Sequence, residues 1–134
     1  MHIARRHLFL ACLCSLAGCA NPVYNPANIA PERLAIVSAH GVLLPNTFSR
    51  PDTNIVMVKH EGDVIVNAKG MVIPSVRLPA GRYWMQVRCQ TSWGYAFPSL
   101  MLTVAEATKY EVSCDYVSPW SGSRVATLTL KIVP

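Results

Sequence analysis

Five cysteines are the residues of this 134-residue chain whose type and spacing could do chemistry. A cysteine thiol can act as a nucleophile, bind a metal ion, form a disulfide or accept a lipid. The five stand at positions 12, 14, 19, 89 and 114, and none has a Cys-x-x-Cys or His-x-x-x-His pair beside it. This spacing does not favour a metal site, so the elements that position each cysteine decide its role.

No other residues form a catalytic motif that we can identify. A Gly-x-Ser-x-Gly nucleophile motif and a glycine-rich phosphate loop are both missing from the sequence. His40 and His60 have no paired ligand nearby, so we interpret them as solvated loop histidines. The carboxylates fall in predicted turns or on solvent faces, as ordinary surface charges do: Asp52, Glu61, Asp63, Glu106, Glu111 and Asp115. We expect no enzyme activity, no bound metal and no cofactor.

Residues 1–18 have the layout of an export signal. Arg5 and Arg6 form a basic start, an apolar run follows over residues 8–16, and Ala17 and Gly18 are small residues suited to cleavage. A bilayer core about 30 Å thick needs around 20 apolar residues in a helix, so this run is too short to span it. We expect a signal helix that is removed after export.

The tetrapeptide Leu16-Ala17-Gly18-Cys19 follows the apolar run directly and resembles the lipobox of bacterial lipoproteins at every position. The resemblance implies cleavage before Cys19, a diacylglyceryl group on its sulfur and a further acyl chain on the new amino terminus. In bacterial lipoproteins an aspartate after this cysteine favours the inner membrane. Because Ala20 stands there, the resemblance implies the outer membrane, facing the periplasm. The alternative is an ordinary secretory signal cut after Gly18.

Residues 19–31 contain three prolines and three asparagines, which oppose both helix and sheet formation. Two interpretations remain open for this segment after the lipidated cysteine. It is either an extended tether between the lipid and the domain, or an irregular first edge that packs against the domain.

Beyond residue 31, apolar and polar residues alternate with a period of two, which predicts half-buried strands. The strands are expected at residues 34–39, 54–59, 64–67, 71–78, 82–90, 100–104, 109–116 and 125–133. Three of these strands have an inward face carrying Tyr83, Met85, Val87 and Cys89; Tyr110, Val112, Cys114 and Tyr116; and Ala126, Leu128, Leu130 and Ile132. We predict that residues 32–134 form an all-β domain, an antiparallel two-sheet sandwich, with a small barrel as the alternative.

Cys89 and Cys114 are the two cysteines left once the leader is removed and Cys19 is lipidated. Both lie on inward faces, and an even pair in an oxidising compartment predicts a disulfide. In a simple meander the 100–104 strand would hold them about two 4.8 Å spacings apart, beyond disulfide reach. Their strands therefore lie in opposite sheets, or they are neighbours with the 100–104 segment displaced.

A turn of sequence Pro-Ala-Gly at residues 79–81 feeds one strand, and a later hairpin brings back a strand that carries Tyr110. This arrangement resembles immunoglobulin-like and transthyretin-like domains of exported lipoproteins, although Ala107 stands where such hairpins often have glycine. The resemblance implies the sandwich fold and nothing about function.

Aromatic side chains are the most suggestive feature outside the predicted core. Trp93, Tyr95 and Phe97 crowd the loop after Cys89, and Trp120 lies in a later long turn. They either form a binding edge or cap an open end of the sandwich, and we favour capping because aromatic rings bury a large area when packed. Trp84, on the polar face of its strand, is a further contact candidate.

Charge excludes one class of partner. The net charge of +5 includes Arg5 and Arg6 of the leader, and the remaining Lys and Arg residues are scattered singly, so we expect no nucleic-acid binding. The sequence predicts a non-enzymatic, membrane-anchored lipoprotein that binds another envelope component, as an accessory protein of an assembly or as a periplasmic inhibitor. A ligand-binding sandwich and an envelope enzyme with a site built from loops are the alternatives.

Overall fold

The computed structural model describes residues 21–39, 53–91, 94–116 and 126–134. Within these residues the chain forms nine strands, a short 3-10 turn at Pro31–Arg33 and no α-helix. The strands are β1 (Ala35–Ala39), β2 (Thr53–His60), β3 (Asp63–Asn67), β4 (Ser75–Leu78), β5 (Gly81–Thr91), β6 (Gly94–Ala96), β7 (Ser99–Val104), β8 (Lys109–Tyr116) and β9 (Ala126–Val133).

The strands form two sheets, so the predicted all-β sandwich is confirmed. One sheet has four strands in the order β4-β1-β8-β9. The other has five strands, in which β3, β2 and β5 lie side by side. Both β6 and β7 pair with the remaining edge of β5, β7 along its first part and β6 along its last residues. The pairs are antiparallel except for β1 and β8, which run parallel with Ile36 opposite Lys109 and Ala39 opposite Val112.

The core lies between the two sheets and follows the alternation read from the sequence. On β5 the four side chains predicted to point inward are all buried: Tyr83, Met85, Val87 and Cys89. They belong to one apolar cluster with buried residues of the four-stranded sheet, namely Val37, Val76, Leu78, Tyr110 and Val112. This burial between the sheets is the main source of stability of the described strands.

A β-bulge in β2 changes which positions face the core. Thr53 and Ile55 are buried at odd positions, and Val58 is buried at an even one. Between Ile55 and Met57 the register against β5 shifts, because a bulge inserts one extra residue and reverses the alternation beyond it. The bulge therefore turns His60, the last residue of β2, toward the core side.

The predicted strand over residues 71–78 is wrong in its first half, because the chain there crosses from one sheet to the other. The Ile55 amide donates to the Ile73 carbonyl at 3.0 Å in the five-stranded sheet, and the Ala39 amide donates to the Pro74 carbonyl at 2.8 Å in the four-stranded sheet. Only Ser75–Leu78 then pairs as a regular strand.

Two further expectations are wrong at sheet edges. Residues 94–96, expected in a loop, form β6 because they pair with the end of β5, where Cys89 lies opposite Ala96. Ile132, expected on a half-buried face, is 65% exposed, because it lies near the end of β9 at the edge of its sheet. Leu128 and Leu130 on the same strand are half-buried, as expected.

The proline-rich segment packs against the domain. The Tyr24 amide donates to the Arg77 carbonyl at 3.0 Å, and the Arg77 amide donates to the Pro22 carbonyl at 3.1 Å. The Ser75 hydroxyl donates to Asn21 Oδ1 at 3.1 Å. Of the two interpretations of residues 19–31, the structure shows the packed one for residues 21–24, which cover the outer edge of β4.

The sandwich has two ends that differ in composition. We call the end that contains Cys89 and Cys114 the disulfide end, and the end that contains the turns at residues 61–62, 79–81 and 105–108 the hairpin end. Residues 22–24 run parallel to β4, from Ser75 toward Leu78 and the hairpin end. The chain therefore reaches β4 from the side of the disulfide end.

Candidate functional site

The leader, residues 1–18, lies outside the described residues, as do five other residues singled out from the sequence: Cys19, His40, Asp52, Trp93 and Trp120. The predicted inward directions of Tyr116 and Ala126 also fall outside what the structure describes. Glu111 and Asp115 lie on β8 of the four-stranded sheet. The other candidates fall into three places, which are the disulfide, the outer face of the five-stranded sheet and the hairpin end.

Cys89 and Cys114 form a disulfide that joins the two sheets. Their Cα atoms lie 6.0 Å apart, a usual separation for a bridged pair. Because β5 and β8 belong to different sheets, the structure selects the first of the two topologies left open by the sequence. Cys89 is fully buried, and Thr53 Oγ1 lies 3.4 Å from Cys114 Sγ. The bridge fixes the end of β5 from which the aromatic segment continues.

Tyr95 and Phe97 point away from the core. Pairing of Cys89 with Ala96 turns Ala96 inward and its two neighbours outward, and their exposures are 55% for Tyr95 and 52% for Phe97. The favoured expectation that these rings cap the sandwich is therefore wrong, because the register of β6 decides their direction. The guanidinium of Arg88 lies 4.8 Å from the centre of the Tyr95 ring, a cation–π contact.

A shallow groove lies beside these rings at the disulfide end. Its volume is about 340 Å³, and Asn67, Lys69, Met71, Arg88 and Phe97 are among its lining residues. Met71 is 50% exposed, and Lys69 is exposed in the turn that precedes it. We call Lys69, Met71, Arg88, Tyr95 and Phe97 the rim patch. It combines three apolar or aromatic side chains with two cations.

A second group crosses the outer face of the same sheet as one row of paired residues. Val64 lies opposite Lys59, Lys59 opposite Trp84, and Trp84 opposite Met101. Lys59 Nζ lies 4.8 Å from the centre of the half-buried Trp84 ring. We call these four residues the outer-face row. Its two outer members, Val64 and Met101, are 50% and 52% exposed.

The outer-face row borders a groove of about 340 Å³ that also includes Arg82 and Glu61. Sequence reasoning identified Trp84 but missed Lys59, Val64 and Met101. Alternation on β7 contained the signal for Met101, because Leu102 and Val104 are inward and buried, which places Met101 outward. The outward direction of Lys59 could not be predicted from alternation, because the bulge earlier in β2 reverses the alternation before it.

His60 is not the solvated loop histidine expected from the sequence. It is the last residue of β2, where its Nδ1 lies 3.1 Å from the Arg82 carbonyl oxygen. Its ring centre lies 4.7 Å from that of Tyr83 and 6.0 Å from that of Tyr24. The Tyr83 hydroxyl donates to the Pro79 carbonyl at 2.8 Å, and burial raises the pKa of this hydroxyl. These contacts hold the hairpin end together.

Charged groups are also concentrated at the hairpin end. Arg33 forms an ion pair with Glu106, and its hydrogen bond lowers the pKa of that carboxyl. Of the six acidic residues in the described part of the chain, four lie at this end: Glu32, Glu61, Asp63 and Glu106. The ion pair is solvent-exposed, so we interpret it as a surface contact and not as a pair of catalytic groups.

Within the described ranges, no three His, Cys, Asp or Glu side chains come together as metal ligands. In the same ranges no helix is long and apolar enough to cross a membrane. The outer-face row and the rim patch, with their exposed apolar and aromatic side chains and cation–π contacts, are the candidate functional surfaces of the described residues. Comparison of the chain with protein-family models, with curated proteins and with solved structures found no match.

Proposed function

We propose that this chain is a lipid-anchored protein of the bacterial cell envelope that acts by binding an envelope protein and does not catalyse a reaction. Its anchor is Cys19, its membrane is the outer membrane on the periplasmic side, and its partner contacts the outer-face row. The row is the single observation on which the binding proposal depends.

The lipobox supports the anchor. Leu16-Ala17-Gly18-Cys19 directly follows an apolar run that is too short to span a bilayer. The bond between Cys89 and Cys114 is in keeping with an exported chain, since structural disulfides persist in oxidising compartments such as the periplasm.

The composition of the outer-face row supports a protein partner. Trp and Arg residues are over-represented among the residues that dominate binding energy at protein interfaces, and Met is also enriched there. Here Trp84 is half-buried beneath Lys59, so its ring is held in place before a partner arrives. Met101 and Arg82 flank it on a face that the core does not need.

Binding through a surface is favoured over a ligand cavity because side chains fill the space between the sheets. Tyr83, Met85 and Leu102 from one sheet and Val37 and Val112 from the other are buried in one continuous cluster. A ligand-binding sandwich needs an apolar cavity at that position.

Site-specific photo-cross-linking in intact cells tests the partner. A photoreactive residue at Met101 should give a discrete cross-linked product, and the same residue at exposed Ile132 is the matched control on the other sheet. Trp84→Ala should abolish the product from position 101 while leaving the protein folded. Equal labelling from both positions, or a product that survives Trp84→Ala, would contradict the proposed binding face.

Mass spectrometry of protein purified from membranes tests the anchor. We expect an amino-terminal Cys19 carrying a diacylglyceryl group, and Cys19→Ser should leave the membrane fraction or accumulate as the uncut precursor. An unmodified thiol on a processed, membrane-bound product would contradict lipid anchoring.

A further inference from the structure

We propose that the disulfide end of the sandwich rests on the bilayer that holds the anchor, with the rim patch in contact with anionic phospholipid headgroups. This inference rests on the proposed lipidation of Cys19. It adds an orientation that lipidation alone does not specify.

The first support is the short connection between the anchor and the domain. Cys19 precedes Asn21 by two residues, and consecutive Cα atoms are 3.80 Å apart, so the two Cα atoms lie within about 7.6 Å of each other. Asn21 accepts a hydrogen bond from Ser75, and residues 22–24 pair with β4. A lipid on Cys19 would therefore hold this part of the domain close to the membrane surface.

The second support is the position of the rim patch relative to that entry point. Residues 72–74 connect Met71 to Ser75, so the two Cα atoms are at most about 15 Å apart. Phe97 and Arg88 line the same groove as Met71. The rim patch and the entry of the chain thus lie at the same end of the molecule.

The third support is side-chain chemistry. The rim patch exposes about half of the surface of Met71, Tyr95 and Phe97 to solvent. Apolar and aromatic side chains next to Lys or Arg are the combination that binds membrane interfaces, where the rings enter the headgroup region and the cations attract anionic lipids. Arg88 lies over the Tyr95 ring, which places its charge beside an aromatic group suited to that depth.

Charge complementarity favours the disulfide end as the one that faces the bilayer. Among the described residues, Lys69 and Arg88 line the groove at the rim patch, and none of the residues that line it is acidic. At the hairpin end four carboxylates accompany the cations Arg33, Arg82 and Lys109, so that end offers no excess of positive charge to an anionic surface. The occupant that fits the rim patch is therefore an anionic phospholipid surface.

Hydrogen exchange on the full lipidated protein in vesicles tests this orientation. Mass spectrometry first establishes that Cys19 is lipidated, and the protein is then reconstituted in phosphatidylcholine vesicles with and without phosphatidylglycerol. We expect the amides of residues 69–71 and 94–97 to exchange at least about fivefold more slowly on the anionic vesicles. The attraction of a single Lys or Arg to an anionic membrane surface corresponds to a factor of about this size. The amides of residues 61–62 and 106–107 should not change.

A double variant with a matched control isolates the charges. Lys69→Gln with Arg88→Gln should remove the difference between the two vesicle types, whereas Lys109→Gln with Lys131→Gln on the four-stranded sheet should retain it. All four side chains are outside the buried core, so both double variants are expected to fold.

The outcomes separate this inference from the proposed function. Lipidated protein with no slowing at the rim patch, or with slowing at the hairpin end, would overturn the orientation while the anchor stands. Slowing that requires high protein concentration and not anionic lipid would identify a second copy as the occupant, and would also overturn it. An unmodified Cys19 would overturn the anchor, and the orientation that depends on it would fall with it.

Discussion

The disulfide end and the hairpin end of the sandwich are held together by different means. At the disulfide end, a covalent bond between Cys89 and Cys114 joins the sheets, while Tyr95 and Phe97 point into solvent. At the hairpin end, hydrogen bonds fix the turns, as when the Ala105 amide donates to the Tyr110 hydroxyl at 2.7 Å. The covalent bond thus joins the sheets at the end where these two rings do not pack into the core.

The two ends therefore differ both in the contacts that stabilise them and in the side chains that they expose. The hairpin end uses tyrosine hydroxyls and an ion pair to close tight turns, and it concentrates carboxylates. The disulfide end carries the cations and exposed apolar side chains of the rim patch. Stability at one end therefore depends on redox state, and stability at the other depends on hydrogen bonding.

Removing the disulfide should have the largest effect of any change at either end. The bond spans a sequence separation of 25, for which chain entropy predicts a loss of roughly 3 to 4 kcal/mol in the free energy of unfolding. The double variant Cys89→Ala with Cys114→Ala, measured by urea denaturation, should show this loss. Wild-type protein with reductant is the matched comparison, and equal midpoints with and without reductant would contradict the bridge.

Removing one hydroxyl at the hairpin end should have a smaller effect. Tyr110→Phe deletes the acceptor of the Ala105 amide in a buried residue, which should lower the free energy of unfolding by about 1 kcal/mol. Tyr95→Phe, at an exposed ring of the disulfide end, is the control and should change it little. If the two variants are equally stable, tyrosine hydroxyls do not hold the hairpin end.

Relieving backbone strain at the hairpin end should increase stability slightly. Ala107 has a φ of 52°, a left-handed conformation that costs an L-residue about 1 kcal/mol or more. Glycine avoids that cost but loses more backbone entropy on folding, so Ala107→Gly should raise the free energy of unfolding by about 0.5 kcal/mol. Ala80→Gly, at a turn position without a positive φ, should lower it. A stabilising effect at both positions would contradict this reading of the strain.

The smallest expected effect concerns pH. The Arg33 hydrogen bond lowers the pKa of Glu106 in the folded state, so the contribution of the pair is present above the ordinary carboxyl pKa of 4.5 and is lost as the pH falls through the lowered value. NMR titration should find the Glu106 pKa below its ordinary value, and Arg33→Gln should return it there. An unchanged pKa in the variant would contradict the ion pair.

Much of the fold could be predicted from the sequence because alternation is a local property. The burial of Tyr83, Met85, Val87 and Cys89 follows from one strand alone. The crossover at residues 71–74 and the bulge in β2 could not be predicted, since each depends on hydrogen bonds to distant strands. A period-two pattern does not show where an inserted residue will reverse the two faces of a strand.

The candidate surfaces were predictable only in part, for the same reason. Trp84 could be found because it lies on the polar face of a regular strand. The directions of Tyr95 and Phe97 depend on the register of β6 against β5, which the sequence does not specify. The outer-face row crosses four paired strands, so it can be recognised only when the strand pairing is known.

The parallel pairing of β1 with β8 has a consequence for how this protein is made. β1 lies between β4 and β8, so one edge of β1 stays unpaired until β8, the penultimate strand of the described fold, has been synthesised. Non-local β pairings of this kind form slowly. Under the export proposed above, this delay would favour passage of the chain through a narrow translocation channel before the four-stranded sheet closes.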